Sequence, residues 1–330
     1  MNLSHHLRSA MRAHVWAMNR VHLESLAAKA AAFQSDLPPA TLLAAQTDAS
    51  RPGPGYEVRD GVAIIEIEGL ILKEVPWIFS LSDCAATGTL AVREQLADAL
   101  DDSTVKSILL YVDSPGGTVD GVQELADDVW AARKIKPVHA ILSDLGASAA
   151  YWVAAQAETL SANLSANVGS IGVYMILDDT SEAYKAAGIK SHLLASGPHK
   201  GTGVAGVPIT DEQLRPLQEQ VDELADVFVR AVARGRGLDV EAVREQATGR
   251  TWQAPKARRL GLIDVVEHDR EAFERVASGK PNAAAEATAT QTDAERERRA
   301  RLVNALGPKL GRAAAGMKPV RQRPAFPQKD

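Results

Sequence analysis

From about residue 60 onward, short apolar runs alternate with stretches whose apolar positions recur at helical spacing. Val62-Ala-Ile-Ile-Glu-Ile-Glu68 is β-branched and reads as a strand, whereas Leu90 to Leu100 reads as an amphipathic helix. Ser107-Ile-Leu-Leu-Tyr-Val-Asp113 is a continuous apolar run, the form a strand takes when both its faces are buried. A helix over Val119 to Ala132 and a strand at Val138-His-Ala-Ile-Leu142 follow. Beyond them the pattern predicts a helix from Ser148 to about Ala157, strands near Ala157 to Ser161 and Gly169 to Met175, a helix over Ser181 to Ala187 and a strand at Ser191 to Ala195. Thr210, followed by Glu212 and Gln213, predicts the N-cap of a long amphipathic helix reaching about Arg234. Gly261-Leu-Ile-Asp-Val-Val266 reads as the last strand. Strands and helices alternating at this pace imply right-handed crossovers and a mostly parallel sheet covered by helices, an α/β fold.

The flanks read differently. Residues 35 to 57 carry Pro38, Pro39, Pro52, Gly53, Pro54 and Gly55, which break both periodicities and predict a linker after a helical extension over residues 1 to 33. Ala283 to Thr292 is Ala/Thr-rich with little to build a core, and residues 293 to 330 hold ten Lys/Arg against four Asp/Glu, a solvated basic tail or a peptide for an acidic surface. The expected organisation is therefore an extension and linker over 1–57, one domain over 58–279 and a disordered linker with a basic tail over 280–330.

Composition narrows the class. With 45% hydrophobic and 24% charged residues the chain is an ordinary globular sequence, and a formal charge of -5 offers no global attraction to nucleic acid. The single cysteine, Cys84, cannot form an internal disulfide, so a reducing compartment such as the cytoplasm suits the fold. The longest apolar runs fall well short of the roughly 20 residues that span a bilayer. Arg8, Arg12 and Arg20 interrupt any signal-peptide core.

Two motifs carry candidate chemistry. Asp113-Ser-Pro-Gly-Gly117 ends a buried strand, at the edge of a parallel sheet where ligands bind, and its paired glycines let backbone N–H groups approach a substrate. It lacks both phosphate-loop and dinucleotide spacings, so an oxyanion hole is the better functional reading of what is otherwise a tight turn. Ser148, in Gly146-Ala-Ser-Ala-Ala150, falls at the start of the next helix, where the Ala149 N–H and the Gly116-Gly117 turn are available donors. The motif nearly matches the G-x-S-x-G elbow, but its last position is Ala, a short loop is expected before it, and Asp264 with His268 stand too close together for that family's triad. A serine needs a base. His192, Lys185 and Lys190 are weaker candidates than His199 and Lys200 in Gly197-Pro-His-Lys-Gly201, and residue chemistry alone does not choose between those two.

Asp113-Ser-Pro-Gly-Gly117, Ala147-Ser-Ala-Ala-Tyr-Trp152, Val168-Gly-Ser-Ile-Gly-Val173, Gly197-Pro-His-Lys200 and Gly261-Leu-Ile-Asp264, in this order, resemble the landmarks of the signal peptide peptidase A family, over roughly residues 60 to 267. Within it the chain resembles the phage head-maturation, or capsid assembly, protease branch. The resemblance implies a Clp protease/crotonase-like spiral of β-β-α units, with helical extensions, and a serine endopeptidase without metal or organic cofactor. It implies Ser148 as nucleophile, Lys200 as general base, Ser170 as the residue orienting the lysine, and oxyanion donors at Gly116 or Gly117 and Ala149. Lys200 is then expected to be buried with a depressed pKa. In some members the lysine comes from the neighbouring subunit of a ring, so a homo-oligomer is expected.

The chain departs from the family where many members read Ser-Gly-Gly, since here it is Ser148-Ala-Ala150. A protein or peptide substrate follows, with scaffold or capsid proteins in a phage setting, in the host cytoplasm or the prohead; no nucleic acid partner and no membrane span are expected. The alternatives are a cytoplasmic peptide-degrading relative, a Clp-like triad using His199, a catalytically silent shell component and a crotonase-like acyl-CoA enzyme.

Overall fold

The computed structural model describes residues 15–18, 55–76 and 85–280. In chain order the elements are β1 (Trp16–Met18), β2 (Glu57–Arg59), β3 (Val62–Leu72), β4 (Ala86–Gly88), α1 (Thr89–Asp101), β5 (Ser107–Thr118), α2 (Val122–Ala132) and β6 (Val138–Ala147). Then come α3 (Ala149–Ala154), β7 (Thr159–Ala162), β8 (Asn167–Gly169), α4 (Ser181–Ala186), α5 (Asp211–Arg236) and α6 (Val240–Gln246). The last are β9 (Thr251–Gln253), α7 (Ala254–Arg259), β10 (Val265–Val266) and α8 (Asp269–Ala277).

These strands join one mixed sheet whose spine runs β10-β7-β6-β5-β3-β2. The β3, β5, β6, β7 and β10 pairings are parallel, as the alternating pattern predicts, and antiparallel strands attach at the margins. β5 is apolar on both faces because both are covered. Ile108, Leu110 and Val112 enter the main core with α1, α2 and α3, while Leu109 joins Val62, Ile141 and the α8 residues Ala272 and Val276 on the opposite face. α5 begins with the predicted cap: Thr210 accepts from the Gln213 N–H and the Gln213 side chain accepts from the Thr210 N–H. Its buried residues all lie in the second half, from Phe228 to Ala233. No helix among the described residues is long and apolar enough to cross a membrane.

Four expectations need correction. Ser114-Pro-Gly-Gly117 is not a turn beyond a strand; β5 continues through it to Thr118 with a shift of register between Val112 and Ser114. Residues 191–195 form no strand, because Leu193 and Leu194 are exposed and no neighbouring edge pairs with them among the described residues. The strand expected over Gly169 to Met175 is shorter: β8 ends at Gly169, and only Tyr174 makes a further bridge. Trp16–Met18 is a strand inside the expected N-terminal helix, because the exposed end of β5 offers hydrogen bonds that outweigh local propensity. The remainder of that helix, most of the linker and the basic tail lie outside the described residues.

α3 is too short to be stable alone and is held by its side chains. All six residues are buried; the Tyr151 hydroxyl donates to the Leu262 carbonyl at 2.8 Å, and Trp152 stacks on Phe228 of α5 with ring centres 4.4 Å apart. Burial raises the Tyr151 pKa, so the phenol stays a donor. Tyr151→Phe should lower stability by about 1–3 kcal/mol in thermal or urea unfolding, since it strands a buried carbonyl.

His139, in β6, is pushed down to about 4, first by burial and then by the charge of Arg275. The unfolded chain binds this proton near 6.5, the fold only near 4, so acid shifts the balance towards unfolding between those values. Unfolding free energy should fall by up to about 3 kcal/mol over that window, and His139→Gln should flatten the slope, as followed by urea titrations at stepped pH.

Candidate active site

β6 runs without a loop to Ala147, and the chain then reverses at Ser148 into α3. The short loop expected before the serine does not exist. Ser148 adopts φ 56° and ψ -121°, a left-handed conformation that costs a non-glycine residue on the order of 1–3 kcal/mol. It is clamped there: its N–H donates to the Gly169 carbonyl at 2.7 Å, its carbonyl accepts from the Trp152 N–H at 2.9 Å, and α3 is locked into the core. The side chain is buried, with its hydroxyl 3.5 Å from the Gly172 carbonyl oxygen. Such a strand-to-helix reversal presents a hydroxyl beside the first helical N–H, that of Ala149, which has no intrahelical acceptor. With α3 only six residues long, this N–H matters more than any helix dipole.

The second donor comes from β5. Gly116 has φ +97°, and a Cβ there would stand 2.9 Å from the Ala149 nitrogen and 3.0 Å from the Ala147 carbonyl oxygen, so only glycine lets the two backbones meet. The Gly116 N–H donates to the Ser114 hydroxyl at 3.1 Å, which in turn donates to the Gly69 carbonyl at 2.6 Å. Of the two glycines named from sequence, Gly117 is thus the one whose N–H does not go to Ser114. Ser114 is a residue that sequence reasoning passed over; its place two positions before Gly116 was the available signal.

Ser170 is also held at positive φ, 53°, next to the Gly169 that clamps Ser148. Its N–H donates to the Arg250 carbonyl at 2.9 Å and its hydroxyl to the Gly249 carbonyl at 3.1 Å. Lys200 departs from expectation. It is exposed, not buried, and its ammonium makes no hydrogen bond or ion pair among the described residues, to Ser148 or Ser170 or otherwise. The reason is local: residues 189–204 contribute nothing to the core, and Leu194 is 95% exposed. His199 is exposed too, on the rim of a groove of about 480 Å³ lined by Leu177, Thr180, Gln213 and Leu217.

The other candidates are occupied or solvated. Lys185 pairs with Glu182 on the surface, and Lys190 and His192 are exposed. Asp264 accepts from the Leu160 N–H at 2.8 Å and pairs with the buried Arg236, tying the end of α5 to β7. His268 caps α8, its N–H donating to Glu271 at 3.1 Å. Asp264 and His268 therefore have structural work.

Comparison with known proteins converges on one group. Residues 131–283, which include Ser148, Ser170 and Lys200, match peptidase family S49. Over 231 residues the chain is 29% identical to the capsid assembly protease C of Escherichia phage lambda, covering 70% of this chain and 52% of that protein. It is 26% identical over 225 residues to protease 4 of Haemophilus influenzae, covering 67% of this chain and 35% of that one. A protease relative from Synechocystis is 30% identical over 207 residues, 62% of this chain and 69% of its own length. The chain spans about half the length of the first curated relatives it matches. On these matches, the chain belongs to peptidase family S49.

Proposed function

We propose that the chain is a serine endopeptidase in which Ser148 is the nucleophile and Lys200 the general base. The catalytic domain is residues 58–279, folded as a Clp protease/crotonase-like spiral, to whose sheet residues 1–57 contribute β1 and the start of β2. The observation that carries this reading is the strained reversal at Ser148, opposite Gly116 and beside the Ala149 N–H. Strain of this kind persists only where the surroundings over-determine it, and it aims a hydroxyl at a fixed point.

In the reaction, the amine of Lys200 takes the Ser148 proton as the oxygen attacks the peptide carbonyl. The Ala149 and Gly117 N–H groups receive the charge that develops on the carbonyl oxygen, and they need no rearrangement because both backbones are already fixed. The amine returns the proton to the leaving nitrogen, then activates the water that releases the acyl group. Ser170 orients the amine once it arrives, exchanging its bond to Gly249 for one to Lys200.

Lys200 is exposed and its side chain makes no hydrogen bond or ion pair among the described residues, which supports an amine that reaches Ser148 from a neighbouring subunit of a ring. The exposed Ile189, Leu193, Leu194 and Val204 around it support this, since apolar groups clustered on one segment mark a surface for another protein. The relatives include a capsid assembly protease of phage lambda, which supports scaffold or capsid protein as substrate and the host cytoplasm or prohead as the place of action.

Ser148→Ala should lower cleavage of casein or a reporter peptide by a factor on the order of 10⁴ while leaving the sedimentation profile of the assembly unchanged. Lys200→Ala should match that loss and His199→Ala should not. Equal activity of Ser148→Ala and the parent would remove the assignment, and the reverse ranking of the position 199 and 200 variants would move the base to His199.

A further inference from the structure

The strand β1 lies in the cleft that the proposed mechanism needs for substrate. It pairs antiparallel with the end of β5, Trp16 opposite Thr118, Ala17 opposite Gly117 and Met18 opposite Gly116. On its other edge the Trp16 N–H donates to the Tyr174 carbonyl at 2.8 Å and the Trp16 carbonyl accepts from the Tyr174 N–H at 2.9 Å. Four consecutive residues thus bridge two walls, as an extended peptide does when a protein binds it by adding a strand.

The register turns one particular carbonyl towards the Gly116-Gly117 end of β5. The Val119 N–H donates to the Val15 carbonyl at 3.1 Å, and alternation along an antiparallel ladder makes Ala17 and Gly117 the next hydrogen-bonded pair. The Gly117 N–H is therefore directed at the Ala17 carbonyl. A Cβ built on Gly116 would stand 2.2 Å from that same carbonyl oxygen and 2.9 Å from the Ala149 nitrogen. The Ala17 oxygen accordingly lies against Gly116 and beside the Gly117 N–H, one of the two donors proposed above for a developing oxyanion. Alternate side chains separate in the same way: Trp16 and Met18 pack with Leu70, Leu72, Ala86 and Tyr174, whereas Ala17 turns the other way into the main core and is fully buried. The residue whose carbonyl faces the hole is the one with the smallest side chain of the three, in a site with no room for more.

We propose that Val15 to Met18 is a substrate of the chain's own active site, cut between Ala17 and Met18, and that the site selects extended segments with a small residue at the attacked carbonyl. The inference rests on the Ser148 reading of the previous subsection. The Ser148 oxygen bonds to the Ala17 carbonyl carbon as its proton passes to the base. The bond from that carbon to the Met18 nitrogen breaks, with the proton going to the new amine. Water then takes the acyl group, leaving an Ala17 carboxylate and a free hydroxyl. Ser148 is buried in the chain that carries β1, so release of the segment ending at Ala17 is the step expected to open the cleft to other substrates.

The test is intact-mass and N-terminal analysis of the full-length chain purified at concentrations where it assembles, beside its activity on the coumarin amides of acetyl-Val-Trp-Ala and acetyl-Val-Trp-Arg. The expected result is a chain beginning at Met18, full-length Ser148→Ala, a block of that cut by Ala17→Arg, and turnover of the alanine amide at least about tenfold faster than the arginine amide. A chain that hydrolyses the amides yet keeps residues 1–17, or prefers the arginine amide, overturns this inference and leaves the peptidase reading standing. A chain that cuts neither itself nor any peptide overturns both.

Discussion

Everything about this site depends on a backbone reversal that a serine dislikes. Ser148 sits at positive φ because its neighbours leave it no alternative: β6 delivers the chain into the turn, Gly169 takes its N–H, and α3 is pinned by Tyr151 to Leu262 and by Trp152 to Phe228. The small residues around it answer to the same constraint. Ala147, Ala149 and Ala150 are fully buried, and glycine at 116 is what allows β5 to approach the start of α3. Close packing and chemistry are thus not rival readings of this stretch, since the packing is what holds the hydroxyl and the N–H donor in register.

The two halves of the proposed dyad differ in kind. The serine half is rigid, buried and complete within one chain, whereas the lysine half rides on a segment whose apolar side chains face outward. Under the proposed dyad such a division couples chemistry to assembly, since among the described residues of one copy the Lys200 side chain makes no hydrogen bond to Ser148. Under the proposed self-cleavage the strand β1 is a second restraint, since it occupies the edge of β5 and the backbone of Tyr174.

Much of the fold was legible in the residues. Apolar runs such as Ser107 to Asp113 and the capping pair Thr210 and Gln213 report burial and local hydrogen bonding, which are set within a few residues. The position of Ser148 at a strand-to-helix junction followed from the same periodicity. What was not legible depends on distant partners. β5 extends through Ser114-Pro-Gly-Gly117 only because β3 and β1 flank it, and Trp16–Met18 is a strand only because β5 ends in an open edge. The loss of a strand at 191–195 and the exposure of Lys200 share one cause, the absence of core contacts for that segment in a single copy. Lys200 is proposed through family resemblance, and no local pattern says whether it serves its own copy or a neighbour.

The most direct measurement is a structure of the assembled protein at a resolution that defines side chains. The account predicts that in every active cleft the Lys200 Nζ of an adjoining copy stands within hydrogen-bond reach, about 3 Å, of the Ser148 hydroxyl and is shielded from water. An assembly in which every Lys200 remains in solvent, beyond the reach of one bridging water from any Ser148, contradicts it.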